Sequence, residues 1–269
     1  MNIEIHHKDA NIYMQELIDN GTKVDLILTD PPYNIGKNFG TNDTDNYSLP
    51  EFLYYTKQRL KMCKELLSDN GSIVWFCSHK YVGFIQVMMY ELELRYRRML
   101  IWHYDNGMSR QRRTPVTSYE PILWFSKTDS WTYNADDVRV PYKTERVKNP
   151  CYKKNSKGEK IAWYPNPNGA LRSDTFDYPV LSGKLYEKEK TSHPTQKPEA
   201  LIDVLLKAFC PKKNGIYDGV IFDPFCGSGT TAVCCKKLNL TGNNITCYTC
   251  ELEKQWYELA NKRLIGVEE

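Results

Sequence analysis

The residues best suited to chemistry are Asp30-Pro31-Pro32-Tyr33, which directly follow the apolar run at 24–29. That run predicts a buried strand that the two prolines bring to an end. Ligands of α/β sheets bind beyond the carboxyl ends of strands, so the tetrapeptide stands where a ligand would lie. It offers a carboxylate, a carbonyl group and an aromatic face, a set that can hold a planar base bearing an NH2 group. A Pro-Pro turn with a buried Tyr is the structural alternative.

A second group runs from Asp223 to Thr231, with the sequence Asp-Pro-Phe-Cys-Gly-Ser-Gly-Thr-Thr, between an apolar run and a helical pattern. Its glycines permit a tight turn and close ligand approach, and the amides of a helix N-terminus favour a carboxylate or phosphate. The Gly-Lys-Ser/Thr ending of a Walker A loop is missing. Glu251 ends the next predicted strand, where a carboxylate can bind ribose hydroxyls. A plain strand-to-helix turn is the alternative.

Hydrophobic periodicity predicts the elements that position these groups. Strands are predicted at 2–6, 24–29, 72–77, 99–103, 122–125, 220–222 and 245–250. Helices are predicted at 51–67, 82–94, 199–209, 230–238 and 254–264, the first of them stopped by Asp69-Asn70-Gly71. This alternation predicts a wound α/β sheet. Between 126 and 191 the alternation fails, and we expect an irregular insertion there.

Composition sets the class of protein. The 269 residues are 41% hydrophobic and 26% charged, which is typical of a globular chain. No apolar run approaches the ~20 residues that span a bilayer, and no secretory signal opens the sequence. Nine irregularly spaced Cys predict reduced thiols rather than a metal site. We therefore expect a cytoplasmic protein that is not secreted and not bound to a membrane.

Positive charge is concentrated in the middle of the chain. Residues 95–160 hold 15 Lys and Arg against 7 Asp and Glu, a local balance of +8, whereas the rest of the chain is net −5. A basic middle segment in an otherwise acidic chain predicts a localised surface that binds a polyanion. A solvated basic face is the alternative.

The two groups together, in this order, resemble the β-class amino methyltransferases of DNA. His193-Pro194-Thr195-Gln196-Lys197-Pro198 matches a third motif of that family, and the resemblance spans nearly the whole chain. Residues 137–142 and 163–169 look like the MboII-type modification enzymes within the class. The resemblance implies a Rossmann-like class I methyltransferase fold. Its features would be a mixed seven-stranded sheet with one antiparallel strand, a circularly permuted motif order and a target-recognition insertion.

The resemblance also implies a division of the chain and a set of roles. Residues 1–125 would form the catalytic half of the methyltransferase domain, 126–191 the target-recognition insertion, and 192–269 the donor-binding half. S-adenosylmethionine would be the methyl donor, with no metal. Catalysis would fall to Asp30, Pro31, Pro32 and Tyr33.

Donor binding would fall to the second group and to residues near the first strand. Lys197 and Thr230 would hold the methionine carboxylate, Glu251 the ribose, and Asp9 and Ala10 the donor adenine. Asp9 could equally be a helix N-cap. The remaining donor residues would be Asp30, Asp223, Phe225, Gly227, Ser228 and Gly229, and a bulky side chain at either glycine would fill the donor's space.

Double-stranded DNA is the implied partner, and family members often form homodimers. Arg110, Arg112 and Arg113 predict a DNA-contacting loop, and Lys153 and Lys154 predict phosphate contacts. Asp-Pro-Pro-Tyr favours N6 of adenine as the methylated atom. Methylation of cytosine N4 by the same fold and an inactive DNA-binding relative are the alternatives. Restriction protection, regulation and viral genome marking all fit as biological roles.

Overall fold

The computed structural model describes residues 3–40, 45–107, 112–145 and 148–267. Its helices are α1 (Ala10–Asp19), α2 (Leu49–Leu66), α3 (Val82–Glu91), α4 (Glu199–Phe209), α5 (Thr230–Leu240) and α6 (Lys254–Ile265). Its strands are β1 (Ile3–His7), β2 (Val24–Thr29), β3 (Leu67–Phe76), β4 (Arg95–His103), β5 (Tyr119–Ser126), β6 (Cys151–Lys154), β7 (Lys160–Trp163), β8 (Thr175–Asp177), β9 (Lys212–Lys213), β10 (Ile216–Tyr217), β11 (Val220–Asp223) and β12 (Thr246–Glu251).

The main sheet confirms the predicted wound α/β fold and has the order β1-β12-β11-β2-β3-β5-β4-β8. Strand β5 runs antiparallel to both β3 and β4, while the other neighbours pair in parallel. The carboxyl ends of β12, β11 and β2 therefore lie side by side at one edge. Because β5 is reversed, its amino-terminal end reaches the same edge.

From Leu26 onward, side chains of β2 alternate between two cores, one on each face of the sheet, and Val24 lies before the register shift. Leu26 and Leu28 pack in the core that includes residues of α4 and α5, whereas Val24 and Ile27 pack in the core that includes residues of α1, α2 and α3. A strand that is covered on both faces forms a nearly continuous apolar run, which is why 24–29 was predicted correctly.

Among the described residues the main sheet has eight strands, so the expected seven is wrong. The additional strand is β8, which pairs in parallel with β4 and buries Phe176 against the core. Its three residues are too few to show a period in the sequence. The insertion is also less irregular than expected, because β6 and β7 form an antiparallel hairpin whose residues are exposed except for Cys151, which is half-buried.

The predicted helix stop at Asp69-Asn70-Gly71 is wrong. Helix α2 ends at Leu66, and the three residues lie inside β3. A register shift between the pairs Val24–Leu67 and Leu26–Ser72 accommodates them as a bulge. A Cβ at Gly71 would lie 2.9 Å from the carbonyl oxygen of Ser68, so the glycine serves a close backbone approach rather than a helix end. Helix α1 was not predicted.

The turn between β11 and α5 depends on packing against α6. Gly229 is the N-cap of α5 and has φ of +80°, and a Cβ there would lie 2.8 Å from the Cβ of Ala260. Gly229→Ala should therefore lower the free energy of unfolding for two reasons. Left-handed backbone in alanine costs about 1–2 kcal/mol, and overpacking against α6 costs about 1–3 kcal/mol more.

Gly242→Ala is the matched control, because Gly242 has φ of +92° and an added Cβ there would meet no atom of the described residues within 4 Å. Urea unfolding should show a smaller loss for the control, which carries the backbone strain alone. Equal losses for the two variants would contradict the close packing of Gly229 on α6.

Candidate active site

A cavity of about 1000 Å³ lies at the carboxyl edge of the sheet, lined by residues of all three motifs. It is bounded on one side by the turn after β11 and on the other by Asp30 to Tyr33 after β2. This volume is large for a small-molecule site. One space therefore serves both predicted halves of the site.

The end of the cavity that is predicted to bind the methyl donor, called the donor end below, includes Glu251. One carboxylate oxygen of Glu251 accepts a hydrogen bond from the Gly227 amide at 2.8 Å, and the other accepts one from the Glu253 amide at 2.9 Å. Burial raises the pKa of Glu251 although these amides favour its ionised form. Asp9 caps α1 through the amides of Asn11 and Ile12, so it is an N-cap that also lines the cavity.

The Asp223 side chain connects the turn after β11 with β2, the strand that precedes Asp30. Its carboxylate accepts hydrogen bonds from Thr29 at 2.8 Å, from Thr231 at 2.7 Å and from the Phe225 amide at 3.1 Å. Burial raises the pKa of Asp223 to about 6, although the hydroxyl groups of Thr231 and Thr29 favour its charged form. Both oxygens are engaged within the protein, which gives this residue a structural task at the floor of the cavity.

The other end of the cavity, which is predicted to bind the methyl acceptor and is called the acceptor end below, contains two carboxylates, a hydroxyl group and an ammonium group in mutual contact. The Tyr33 hydroxyl lies 2.5 Å from Asp30 and 2.7 Å from Glu120. The Lys197 ammonium group pairs with the other oxygen of Asp30 and lies 3.4 Å from Glu120. It also lies 5.4–5.6 Å from the ring centroids of Tyr33, Phe76 and Trp102. Lys197 is thus held at the acceptor end.

Electrostatics at this end follow from burial. Burial raises the pKa of Glu120, and the ammonium group of Lys197 only partly offsets it. Burial alone would lower the pKa of Lys197, but Asp30 and Glu120 outweigh it and the pKa is raised. Burial and the same two carboxylates raise the pKa of Tyr33 well above its usual value. Lys197 is therefore charged and Tyr33 protonated at neutral pH.

Two residues that sequence reasoning missed complete the site. Glu120 reaches it because β5 is reversed, a long-range feature that no local pattern reveals. Asp45 is buried and accepts hydrogen bonds from the amides of Asn34, Ile35 and Lys37, at 2.6, 3.1 and 3.1 Å, which fixes the chain just after Tyr33.

Most of the sequence-predicted residues meet in this cavity. Gly229 does not line it and faces Ala260 instead, while a Cβ at Gly227 would meet the ring of His193 at 3.0 Å. At Gly229 an added side chain would meet α6 and not the cavity, so the expected reason is wrong there, whereas the expectation for Gly227, which lines the cavity, stays a prediction. The residues that line the cavity as expected are Asp9, Ala10, Asp30, Pro31, Pro32, Tyr33, Lys197, Asp223, Phe225, Gly227, Ser228, Thr230 and Glu251.

The predicted basic residues lie on the surface. Arg112 and Arg113 are exposed in the segment before β5, a few residues ahead of Thr117 and Tyr119 in the cavity wall. Lys153 and Lys154 are exposed on β6. Arg110 lies outside the described residues.

The nine cysteines are free thiols. In the part of the chain that the structure describes, no three His, Cys, Asp or Glu side chains are grouped as a metal site would require. No helix within the described ranges is long and apolar enough to cross a membrane.

A family model described as DNA methylase, of the N6/N4 methyltransferase type, matches residues 24–262. The chain belongs to this DNA methylase family. It is 32% identical over 243 residues to the type II methyltransferase M.HpaI of Haemophilus parainfluenzae, covering 90% of this chain and 68% of that one. It is 31% identical over 263 residues to M1.MboII of Moraxella bovis, covering 96% and 95%. The expected family and its MboII-type branch are confirmed.

Solved structures of DNA methyltransferases are similar to this chain in fold. The complex of M1.HpyAVI with S-adenosylmethionine superposes with a TM-score of 0.66 at 25% identity, covering 97% of this chain and 98% of that one. The cytosine-N4-specific PvuII methyltransferase gives a TM-score of 0.68 over 100% and 88% of the two chains, and at 14% identity it shows the fold alone. The chain is an S-adenosylmethionine-dependent DNA methyltransferase.

Asp223→Asn tests the buried carboxylate. The pKa of Asp223 is raised to about 6, so between pH 4 and 6 the native state binds more protons than the unfolded chain. Its contribution to the free energy of unfolding therefore falls as pH rises through that window. Asparagine removes this dependence, and the variant should gain about 1 kcal/mol relative to the parent between pH 5 and pH 8.

Urea unfolding at both pH values measures this difference. The exposed Asp19→Asn is the control and should follow the parent at both. A difference for Asp223→Asn that is constant with pH would show that this carboxyl group is not held with a raised pKa.

Proposed function

We propose that this protein methylates the exocyclic N6 of adenine within a specific sequence of double-stranded DNA. The observation that carries the proposal is the cavity that Asp30, Tyr33 and the turn after β11 share. Similarity to the DNA adenine methyltransferase YhdJ of Escherichia coli, 30% over 230 residues, supports adenine as the base. That similarity covers 84% of this chain.

The acceptor residues solve a problem of orientation. An exocyclic amine is a poor nucleophile because its lone pair is delocalised into the ring. The Asp30 carboxylate and the Pro31 carbonyl accept its two N–H groups, which turns the lone pair towards the donor end. When bound, S-adenosylmethionine supplies an electrophilic methyl group on a sulfonium. Asp30 and Pro31 thus act by orientation and charge placement.

The target base must leave the duplex to reach this cavity, at a cost of a few kcal/mol. The Tyr33 ring offers a stacking surface worth ~1–3 kcal/mol. The hydroxyl group of Tyr33 is held by Asp30 and Glu120, so the ring is fixed before the base arrives. Preorganisation of this kind lowers the cost of binding.

The donor end fits S-adenosylmethionine in its chemistry. Glu251 is held by two backbone amides beside the turn and would bind the ribose hydroxyls. The turn opens α5, whose N-terminal amides with Ser228 and Thr230 suit the methionine carboxylate. Phe225 and Ala10 would flank the purine with Asp9 beside them. Lys197 we assign to the acceptor end, because its ammonium group is engaged by Asp30 and Glu120.

Residues 126–191 we assign to target recognition. The β6–β7 hairpin is almost wholly exposed and combines Lys153, Lys154 and Lys160 with Tyr152 and Trp163. Lysines there suit phosphates and the aromatic side chains suit bases. Arg112 and Arg113 add a second basic surface close to the cavity wall. The reaction takes place wherever the DNA of the host lies.

Asp30→Ala should abolish methyl transfer while donor binding remains within about threefold, because Glu251 and the turn after β11 do not depend on Asp30. Labelled donor, chromatography of the hydrolysed nucleosides and calorimetry measure base, rate and affinity. Asp69→Ala, on the exposed bulge of β3, is the control.

The parent protein should yield N6-methyladenine. Methylation of N4 of cytosine would overturn the proposed base, and near-normal turnover by Asp30→Ala would overturn the proposed mechanism.

Lys153→Gln combined with Lys154→Gln should weaken binding to all DNA sequences alike. Each phosphate contact that is lost should flatten the dependence of log K on log salt by about one unit. Fluorescence anisotropy across a salt series measures both quantities.

Lys57→Gln combined with Lys64→Gln removes the same charge from α2, where the two lysines pair with Glu91 and Glu93. We expect little effect from this control. Equal slopes of log K against log salt for the two double variants would show that the hairpin is not part of the DNA-binding surface.

A further inference from the structure

Asp30 and Glu120 share the same two hydrogen-bond donors. The Tyr33 hydroxyl lies within 2.7 Å of both carboxylates, and the Lys197 ammonium group lies against Asp30 and 3.4 Å from Glu120. Lys197 is 6% exposed, and the Asp30 and Glu120 side chains are about one-fifth exposed. Water therefore does little to screen these charges from one another.

The position of Glu120 results from the topology of the sheet. Glu120 is the second residue of β5, which runs antiparallel to both of its neighbours. Asp30 follows β2 and Lys197 precedes α4. Three separate segments thus supply two carboxylates and a single ammonium group.

This arrangement bears on the availability of Asp30. In the proposed function Asp30 must accept an N–H of the target amine. A lysine that pairs with a single buried carboxylate binds it tightly, because few other partners compete. With Glu120 present, the ammonium group and the hydroxyl group have a second acceptor, so they remain in place when Asp30 turns to the amine.

We propose that Glu120 is a positioning residue that divides Lys197 and Tyr33 between two carboxylates and thereby leaves Asp30 able to accept the target amine. This inference rests on the proposed role of Asp30. In this proposal Glu120 acts through its neighbours and not by contact with the amine. Its negative charge, and not only its shape, is what the arrangement requires.

Glu120→Gln keeps the shape and removes the charge, so Lys197 should pair with Asp30 alone. We expect kcat to fall about 10- to 100-fold, as for other misplaced orienting groups. The Kd for the donor and the KM for DNA should stay within about twofold. Glu91→Gln on α3, a surface carboxylate paired with Lys57, should match the parent. An unchanged kcat in Glu120→Gln would overturn the proposal.

A double-mutant cycle with Lys197→Met distinguishes positioning from general structural support. If Glu120 acts by holding Lys197, adding Glu120→Gln to Lys197→Met should lower kcat by less than about threefold. A further loss as large as that in the parent would overturn the proposal. The double variant removes both charges together, so it remains informative if Glu120→Gln alone fails to fold.

The failure of this inference is distinguishable from failure of the proposed function. An inactive Asp30→Ala beside a fully active Glu120→Gln would refute the positioning role and leave the function standing. Turnover by Asp30→Ala would refute the function itself.

Discussion

The structure depends on one buried carboxylate, Asp223, that joins the two halves of the site. Its oxygens take hydrogen bonds from Thr29 at the end of β2 and from Thr231 in the first turn of α5. A buried carboxylate without such partners would cost several kcal/mol, so the strand that presents Asp30 and the turn that forms the donor end are held at a fixed separation. Transfer between two bound molecules requires this fixed separation.

Pairing of opposite charges holds the side chains of the acceptor end in place, as the hydrogen bonds of Asp223 hold the strand and the turn. One ammonium group, from Lys197, faces two carboxylates, and three aromatic rings surround it. Burying any one of these charges alone would cost free energy, and pairing between opposite charges offsets that cost. The proposed chemistry needs a carboxylate that is oriented before the base arrives, and this arrangement supplies that orientation.

Local patterns predicted the parts of the site that are local. Strand β2, the turn of Asp30 to Tyr33 and the glycine turn before α5 each carry their signal within about ten residues. Glu120 could not be found in this way, because only the reversal of β5 brings it to the carboxyl edge. Strand β8 was too short to show a period. Gly71 was interpreted as the end of a helix, but it lies in a β-bulge. Glycine occurs wherever the backbone approaches another group closely, so its presence alone does not distinguish the two.

The role of Lys197 shows the limit of a motif. Its place in the third motif suggested the methionine carboxylate, yet its ammonium group lies with Asp30 and Glu120. A motif fixes where the backbone lies, whereas the partner of a long side chain depends on which charges the fold brings near. The same holds for Gly229, whose neighbour on α6 is remote in sequence.

The most direct test is a crystal structure of the protein with a non-reactive donor analogue and a DNA duplex that carries its methylation site. The proposed mechanism predicts a flipped adenine stacked on Tyr33, with N6 within about 3 Å of both the Asp30 carboxylate and the Pro31 carbonyl. Lys197 should still lie between Asp30 and Glu120. A target base bound away from Asp30, or an Asp30 that stays paired with Lys197 alone, would contradict it.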